Sequence, residues 1–402
     1  MVRSTINTYH NSFKGLSPQV WWLALITFVN RAGTMVLPFM SLYLTKDLHL
    51  TLSQVGWVMT SFGLGSLLGS WIGGKLSDTI GFYKVMVRSL FTTGILFISL
   101  QFIHSFEGFL IGIFLTMTVA DMFRPAMFVS LKAYSKPENR TRSLTLIRLA
   151  INLGFSFGPF LGGLIIAFIG YSGLFWVDGI TCILAILIMK LVLKEKQIQP
   201  IANPIEEIAT AKVTSVYKDK PFWIFLVVVF LMGFMFLQLF TTMPLYYREI
   251  HDLSEVQIGL LMSLNGFVIF LFEMPLIHYI EQKSLNKLKI IAWSLLLFAV
   301  SFFILNTSLS ILILISGMLF ITFGEMLGFP FTNNFAMDRA PTGKEGRYLA
   351  LYSMAFSFAH IFSAKVGMEM IDQFGFAVNW FFMGSLGIVA FGLMIWLKKS
   401  LI

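Results

Sequence analysis

The sequence predicts an all-α membrane protein of twelve transmembrane helices, arranged as two six-helix halves related by pseudo-two-fold symmetry. Of its 402 residues, 57% are hydrophobic and only 12% are charged, and the mean hydropathy is +0.80. Soluble domains contain roughly 25% charged residues, so this composition indicates a chain that crosses a bilayer many times. Twelve separate apolar runs predict the number of spans, and repeats between the first six and the last six predict the two halves.

Each apolar run is long enough to cross a bilayer as a helix, which takes roughly 20 residues. A polar, charged segment from Lys194 to Lys220 separates the first six runs from the last six. We therefore predict an N-terminal six-helix bundle over residues 1–193, a cytoplasmic linker over 194–220 and a C-terminal six-helix bundle over 221–402. The runs lie at about 20–44, 52–76, 84–104, 107–132, 143–169, 171–193, 221–248, 254–280, 287–306, 309–337, 347–373 and 376–398.

Short repeats relate the two predicted halves. Leu-Ser-Gln-Val at 52–55 opens the second run of the first half, and Leu-Ser-Glu-Val at 253–256 opens the second run of the other. Pro125 and Pro330 each precede an arginine by 17 residues. Internal repeats with a binding site at their interface are a common design of membrane transporters. A channel is the alternative at this stage, although no selectivity-filter loop is visible in the sequence.

The net charge of +9 would suit a nucleic-acid-binding protein, but the placement of the basic residues indicates a membrane orientation instead. Lysines and arginines concentrate in the segments that would share one side of the membrane with both termini. This is the positive-inside pattern, so we expect a multi-pass protein of the bacterial plasma (inner) membrane with cytoplasmic termini and no nucleic-acid partner. Among the 29 basic residues, the exceptions are Lys46 and Arg248 outside, and Arg31, Arg124, Arg148 and Lys365 within the membrane.

The sequence also limits which kinds of chemistry the protein can carry out. The single cysteine, Cys182, excludes an internal disulfide and a thiolate metal cluster. The first 18 residues are polar and carry no apolar run, so we expect no removable signal peptide. No Walker loop, ATP-binding domain or nucleophile constellation is visible. We therefore expect a monomer without cofactor, metal or enzymatic activity, which draws its energy from an ion gradient.

A glycine stripe marks the fifth predicted helix. Gly154, Gly158 and Gly162 recur every four residues, Gly163 widens the stripe and Pro159 bends the helix. In lipid, small residues at this spacing let two helices approach closely, and proline is tolerated if neighbours satisfy the freed carbonyl. The run resembles the fifth-helix antiporter signature of the major facilitator superfamily. The resemblance extends over the whole chain and implies the twelve-helix fold of that superfamily, alternating access and export by exchange.

The loop after the second predicted helix, residues 74–84, is similar to the cytoplasmic loop signature of the same superfamily. Gly74, Asp78, Gly81 and Lys84 match that signature, whereas three of its basic positions are not basic here. The resemblance implies that Asp78 sits at a helix N-terminus, which favours a carboxylate, and latches the halves when the outside face is open. The missing basic residues weaken this latch. We treat these four residues and the glycine stripe as candidate gating residues, and a plain positive-inside turn is the alternative for the loop.

Polar and charged residues fall inside the predicted spans of the first half, where a charge is costly unless it is paired or hydrated. Asp121 and Arg124 on the fourth helix are three residues apart and can pair across one turn. Arg31 on the first helix needs a carboxylate opposite it, and Asp121 is the nearest candidate in the fold that the resemblance implies. We expect Asp121 to take part in proton coupling. The residues of this half expected to line a substrate cavity are Asn30, Arg31, Thr34, Arg124 and Asn152.

In the second half, Glu325 on the tenth helix has no lysine or arginine within one helical turn. An apolar cavity favours the neutral form of a carboxyl group, so such a group can take up and release a proton near neutral pH. We therefore expect Glu325 to carry the proton, ahead of Asp121 and of Glu273 on the eighth helix. Asn265 and His360 are expected to line the cavity, and a buried structural histidine is the alternative for His360.

These observations predict a proton-coupled secondary transporter that works by alternating access and is most similar to the twelve-span drug:proton antiporters of the superfamily. The 43 phenylalanines and 22 methionines supply adaptable surfaces, so we expect amphipathic or lipophilic small molecules to leave in exchange for protons. Proton-coupled uptake of peptides or metabolites is an alternative, in which Arg31 and Glu325 would clamp a zwitterion. A lipid or glycolipid flippase is another, and a receptor or channel lies outside transport.

Overall fold

The computed structural model describes residues 15–136, 139–196, 216–283, 285–340 and 345–401. Every regular element in these ranges is helical, as predicted. A 3₁₀ turn at Val216–Lys218 follows the eighth helix. In chain order the α-helices are α1 Pro18–Ala32, α2 Val36–Lys46, α3 Leu52–Thr79, α4 Phe82–Leu100, α5 Phe106–Ala120, α6 Phe123–Tyr134, α7 Arg140–Ile169, α8 Ser172–Val192, α9 Lys220–Phe236, α10 Gln238–Glu249, α11 Glu255–Gln282, α12 Lys287–Ile304, α13 Ile311–Arg339 and α14 Glu345–Ser400.

Eleven helical stretches in the described part of the chain are long and apolar enough to span a membrane. The last, Arg347–Ser400, has 54 residues, which is about 80 Å at the helical rise, whereas the apolar core of a bilayer is about 30 Å thick. Gly375, with φ of 83°, interrupts it, so α14 consists of two helices that meet at this glycine. The stretch therefore has the length of two spans, in agreement with the twelve that the sequence predicts.

Three of the predicted spans are broken rather than continuous. The breaks lie between α1 and α2, between α5 and α6, and between α9 and α10. The first is held by Asp178 of α8, a buried side chain whose two carboxylate oxygens accept hydrogen bonds from the backbone N–H groups of Met35 (3.0 Å) and Val36 (3.1 Å). A carboxylate at the start of α2 satisfies N–H groups that have no partner within the helix. Hydropathy does not reveal these breaks because the apolar run continues through each of them.

The helices form two compact units. Unit 1 comprises Met1–Phe39 and Ser61–Gln199, and unit 2 comprises Met40–Thr60 and Pro200–Ile402. The predicted division into two six-helix bundles and a linker stays a prediction, and most of that linker, residues 197–215, lies outside the described residues.

In unit 1, the predicted glycine stripe of α7 is a packing face against α1 and α2. A Cβ atom added at Gly154 would lie 2.6 Å from the Cβ atom of Arg31, and one added at Gly162 would lie 3.0 Å from the ring of Phe39. Any larger residue at these positions would push the helices apart. The helix continues through Pro159 without a break.

A second glycine stripe, which the sequence analysis did not single out, lies on α3. Gly65, Gly69 and Gly73 stand against the backbone at the end of α5, and a Cβ atom added at Gly65 would lie 2.5 Å from the carbonyl oxygen of Phe114. The two helices therefore touch backbone to backbone, which is the usual role of small residues between membrane helices.

Unit 2 packs around aromatic side chains. α9 lies along α14, and α12 contacts both α13 and α14. At one end of the unit the ring of Trp380, which is fully buried, stacks on Phe302 at 5.8 Å between centroids and meets Tyr246 edge-on at 5.2 Å. Such offset and edge-on contacts are the preferred geometries of aromatic pairs.

Candidate functional site

A carboxylate and an amide face each other between α11 and α13 of unit 2. The side chain of Asn265 is buried and donates from Nδ2 to Oε2 of Glu325 at 2.9 Å and to the hydroxyl oxygen of Thr322 at 3.0 Å. The Thr322 hydroxyl in turn donates to the carbonyl oxygen of Met318 at 2.6 Å. Because the proton of that hydroxyl is committed to Met318, its oxygen needs a donor, and this orients the amide with Nδ2 towards Glu325. The geometry brings together two residues that the sequence analysis named separately.

The surroundings of this pair are apolar. Val268 and Ile269 of α11 and Met326 of α13 form a buried cluster next to it, and Glu325 itself is half-buried. A charge in such a place is stabilised by the donor that faces it. Glu273 lies two turns beyond Asn265 on α11 and is buried, with 6% of its surface exposed.

Four half-buried phenylalanines form an aromatic cluster, and one of them, Phe329, is close to Glu325 along the chain. Phe329, one helical turn after Glu325 on α13, meets Phe236 edge-on at 5.0 Å and Phe356 edge-on at 5.6 Å, and Phe236 contacts Phe240 at 5.6 Å. The cluster thus joins α9, α10, α13 and α14. The sequence does not predict this cluster, since nothing in the local sequence distinguishes these four residues among 43 phenylalanines.

His360 follows Phe356 by one helical turn on α14 and is half-buried. Its position places it on the same stretch of α14 as the aromatic cluster. The structure therefore brings Asn265 and Glu325 into contact between α11 and α13, and it places His360 on α14 of the same unit.

In unit 1, Asp121 and Arg31 lie at helix breaks. Asp121 ends α5, and its Oδ2 accepts a hydrogen bond from the hydroxyl of Ser66 on α3. Arg31 lies in the last turn of α1, where the negative end of the helix favours a cation. Its guanidinium carbon lies 5.9 Å from the ring centre of Phe155, and it interacts with the charges of Asp121 and Arg124. The expected proximity of Arg31 and Asp121 is present, and Ser66 is an additional partner that the sequence analysis missed.

The other candidates of unit 1 are distributed around the same breaks. The helix ends between Asp121 and Arg124, so these two residues do not share the continuous turn that their spacing predicts, and Arg124 is exposed. The hydroxyl of Thr34 donates to the carbonyl oxygen of Asn30 at 3.0 Å, and the Asn30 amide reaches the buried Cys182 Sγ at 3.9 Å. Both contacts support the end of α1.

Asn152 lies on α7, two residues before the first glycine of the stripe, and is half-buried. Its helix packs on α1, the helix that carries Asn30 and Arg31. The polar candidates of unit 1 therefore lie on helices that contact each other.

The loop signature spans the end of α3 and the start of α4. Asp78 is exposed and lies in the last turn of α3, at the C-terminal end of its own helix and not at its N-terminus, which differs from the placement that the resemblance implies. Gly81 has φ of 89°, which a glycine adopts without strain. Space is open beside Gly74 and Gly81. Lys84 in the first turn of α4 pairs with Glu195 at 3.7 Å, with both side chains about half exposed. An ion pair as exposed as this contributes little to stability.

The segment before α9 is fixed by a charged group. The carboxylate of Asp219 accepts hydrogen bonds from Arg339 Nη2 at 2.8 Å and Nε at 3.0 Å, and from the hydroxyl of Tyr348 at 3.0 Å. Burial raises the pKa of this carboxyl group, but the hydrogen bonds from Arg339 and Tyr348 outweigh it, so the pKa of Asp219 is lowered from its ordinary value. The carboxylate therefore stays ionised at neutral pH and ties the start of α9 to α13 and α14.

A polar cluster joins α3 and α14 within unit 2. Lys365 pairs with Glu369, one turn further along α14, and donates to the hydroxyl oxygen of Ser53 at 2.7 Å. The Ser53 hydroxyl donates to Glu369 at 2.7 Å, and the Lys365 ammonium lies 4.9 Å from the ring centre of Trp57. The four-residue spacing of Lys365 and Glu369 predicts that they pair on one helix face. Nothing in the sequence indicates their partners on α3.

Among the described residues, no group of three or more histidine, cysteine, aspartate or glutamate side chains is arranged to hold a metal ion. Three carboxylates are instead held separately, Glu325 by the Asn265 amide, Asp121 by the Ser66 hydroxyl and Asp219 by Arg339. Such groups can bind and release a proton, or bind a cationic ligand.

Comparisons with known proteins agree with this architecture. The family model of the Major Facilitator Superfamily matches residues 23–364. The uncharacterized MFS-type transporter YttB of Bacillus subtilis (strain 168) is 23% identical and aligns over 88% of this chain and 88% of its own. A Na(+), Li(+), K(+)/H(+) antiporter of Planococcus maritimus is 21% identical over 92% and 93%. The quinolone resistance protein NorA of Staphylococcus aureus (strain COL) is 27% identical over 75% and 77%.

A crystal structure of a POT family transporter in complex with 5-aminolevulinic acid superposes with a TM-score of 0.81 and covers 96% of this chain and 97% of that one. At 15% identity this likeness shows the fold and not the substrate. The matching family model, the transporter relatives and the shared fold lead to one conclusion. The chain belongs to the major facilitator superfamily and is a multi-pass secondary transporter rather than an enzyme.

Proposed function

We propose that this transporter exports amphipathic or lipophilic small molecules in exchange for protons, by alternating access. Two relatives support this proposal, one named as a quinolone resistance protein and one as a cation/proton antiporter. The observation that carries it is the hydrogen bond of 2.9 Å between Asn265 on α11 and Glu325 on α13. This bond gives a carboxyl group inside a span a partner, and the strength of the bond depends on whether the carboxyl group is protonated.

The chemistry of that bond couples a proton to helix packing. Ionised Glu325 accepts from the Asn265 amide and so ties α11 to α13. A proton on Oε2 turns the charge-assisted bond into a weaker neutral one, which loosens this tie and frees the carboxyl group to turn away. Protonation also removes a charge that is costly within a membrane. The helix pair would therefore switch between two packings as Glu325 takes up and releases a proton. Asp121 and Glu273 are further proton sites in this proposal.

The aromatic cluster suggests the class of substrate. Phe329 and its three neighbours offer apolar ring faces and edges one turn from Glu325. Ring faces attract cations as well as apolar groups, and a carboxylate attracts a cation. An amphipathic molecule with a positive charge would satisfy both features, and it would compete with the proton for Glu325. This competition is the exchange step, because binding of one species releases the other.

The remaining candidates take supporting roles in this proposal. Asn30, Arg31, Thr34, Arg124, Asn152, Asn265 and His360 line the substrate path. Gly74, Asp78, Gly81 and Lys84 form an inner gate, and the stripe of Gly154, Gly158, Pro159, Gly162 and Gly163 lets α7 slide on α1. Ser53, Lys365 and Glu369 form an outer gate. The protein acts as a monomer in the bacterial plasma membrane with both termini in the cytoplasm.

The test is uphill transport by the purified protein in liposomes with an imposed pH gradient, with fluorescent amphipathic cations as probes. Wild-type protein should accumulate the probe against its gradient, and Glu325→Gln should bind the probe without proton-driven accumulation. Glu249→Gln, which changes an exposed carboxylate at the end of α10, is the matched control and should transport as the wild type does. Wild-type coupling in Glu325→Gln would remove this carboxyl group from the mechanism.

The direction of movement separates the proposal from its rivals. Probe movement opposite to the proton flow supports exchange, whereas movement with the protons would indicate uptake by symport. Movement of a labelled lipid between leaflets without any effect of the small cation would indicate a flippase.

A further inference from the structure

An apolar groove of about 350 Å³ runs along unit 2 between α9 and α14. Its walls include Trp223, Val227 and Phe230 of α9 and Met354, Phe358 and Phe362 of α14. These side chains stay open to the surroundings, with Val227 48%, Met354 45% and Phe362 49% exposed. Both helices are long and apolar enough to span a membrane, so an exposed apolar groove along them suits a hydrocarbon chain.

The groove has a charged end. It begins at Trp223, about one turn after the start of α9 at Lys220, and at Leu351, nearly two turns after the start of α14 at Glu345. Lys218, Lys220 and Arg347 are exposed there. From Trp223 to Phe230 the helical rise gives about 10 Å, so the groove leads away from the cations into the apolar part of the span.

The carboxylate next to Lys218 and Lys220 in the chain is already neutralised. Asp219 lies between Lys218 and Lys220 in sequence, but its carboxylate is held by Arg339 and Tyr348. The exposed cations therefore keep a positive field at the mouth of the groove.

An aromatic residue marks the level of the lipid headgroups. The indole N–H of Trp223 donates to the carbonyl oxygen of Tyr217 at 3.2 Å, and the ring of Tyr217 is 69% exposed. Tryptophan and tyrosine collect at the boundary between headgroups and acyl chains. The groove thus begins at that boundary, with cations on its polar side.

We propose that this groove is a binding site for one anionic phospholipid. An acyl chain lies along the side chains of α9 and α14, and the phosphate is bound by Lys218, Lys220 and Arg347. The charge complementarity decides the occupant: a neutral lipid or a detergent would fill the groove but leave the three cations without a partner. Basic pockets beside membrane helices are known to select anionic headgroups, and the cytoplasmic leaflet, which the basic residues are expected to face, is the anionic one.

Native mass spectrometry of the full-length purified protein tests this with dioleoyl phosphatidylglycerol and, as the neutral lipid with the same chains, dioleoyl phosphatidylcholine. We expect one phosphatidylglycerol to bind at least tenfold more tightly than phosphatidylcholine. The triple variant Lys218→Gln, Lys220→Gln, Arg347→Gln should lose this preference. The matched double variant Lys283→Gln, Lys399→Gln, which removes exposed charges elsewhere in unit 2, should keep it.

A second variant tests the groove itself. Val227→Trp fills it and should weaken phosphatidylglycerol binding at least tenfold, whereas Val389→Trp, at another exposed apolar position of unit 2, should not. Both proteins are compared at equal elution on size exclusion, and the single change Lys220→Gln replaces the triple variant if that one does not fold. Equal binding of the two lipids would overturn the proposal. Retained preference in the triple variant, or full competition by water-soluble glycerophosphoglycerol, would do so as well.

Discussion

Replacing Asn265 with leucine removes the amide that donates to Oε2 of Glu325 at 2.9 Å and keeps a side chain of similar size at a buried position. A hydrogen bond to a charged group contributes about 1.5–3 kcal/mol in soluble proteins, and bonds between membrane helices average about 0.6 and reach about 1.7 kcal/mol. A value of about 1.4 kcal/mol corresponds to a tenfold change in proton affinity. Because the amide stabilises the ionised carboxylate more than the neutral carboxyl group, its loss favours the protonated form. The pH at which proton-driven transport is half-maximal should therefore rise by about one unit.

The assay measures the initial rate of probe uptake into liposomes over a series of pH values at a constant pH difference. Asn306→Leu is the matched control, since this half-buried asparagine donates to the carbonyl oxygen of Ala377 at 3.1 Å and lies outside the site. The double variant Asn265→Leu, Glu325→Gln should show no such pH step at all. An unchanged or lowered midpoint in correctly folded Asn265→Leu would refute the coupling of the amide to the proton.

Three further predictions concern stability and are read from thermal unfolding in detergent. Gly69→Leu should lower stability by about 3 kcal/mol or more, because its side chain meets backbone atoms, whereas Gly74→Leu on the same helix, with open space beside it, should unfold like the wild type. Asp219→Asn should lower the free energy of unfolding by about 1 kcal/mol at pH 7. Because the pKa of Asp219 is lowered in the folded state, the difference between variant and wild type is present above about pH 4 and disappears as the pH falls through the folded-state pKa. Ser53→Ala should cost about 1 kcal/mol, because Lys365 loses one of its oxygen partners, and equal stability would contradict that reading.

The fold and the candidate residues could be predicted from the sequence, but most contacts between those residues could not. Long apolar runs and the four-residue spacing of Gly154 and its neighbours predict spans and a packing face, because both signals are local in the chain. The pairing of Asn265 with Glu325 joins residues 60 positions apart, and no local pattern encodes it. The aromatic cluster around Phe329 is hidden for a different reason. In a chain this rich in phenylalanine, membership of a cluster depends on helix rotation, which hydropathy does not record.

The helix breaks are the structural feature of each unit that bears most directly on transport. The first span of each predicted half is broken after a similar length, with 15 residues in α1 and 17 in α9. A broken backbone inside a membrane is tolerated only where other groups satisfy it. Asp178 does so for α2. In unit 2 the hydroxyl of Ser363 donates to the carbonyl oxygen of Phe234 at 2.7 Å, just before the break.

The same arrangement in both halves argues that the breaks serve a purpose beyond folding, since an unbroken helix would need neither support. Interrupted helices at corresponding positions of two repeats are the strongest structural pointer to a transport site. Here each break carries residues of the candidate site. Arg31 ends α1 in unit 1, and Phe236 and Phe240 flank the end of α9 in unit 2. The aromatic rings at the break in unit 2 suit the cationic substrate proposed above. Arg31 at the break in unit 1 is instead a candidate partner of Asp121, and with Asp121 and Glu325 as the proposed proton-binding groups each unit would contribute one titratable carboxyl group to the exchange.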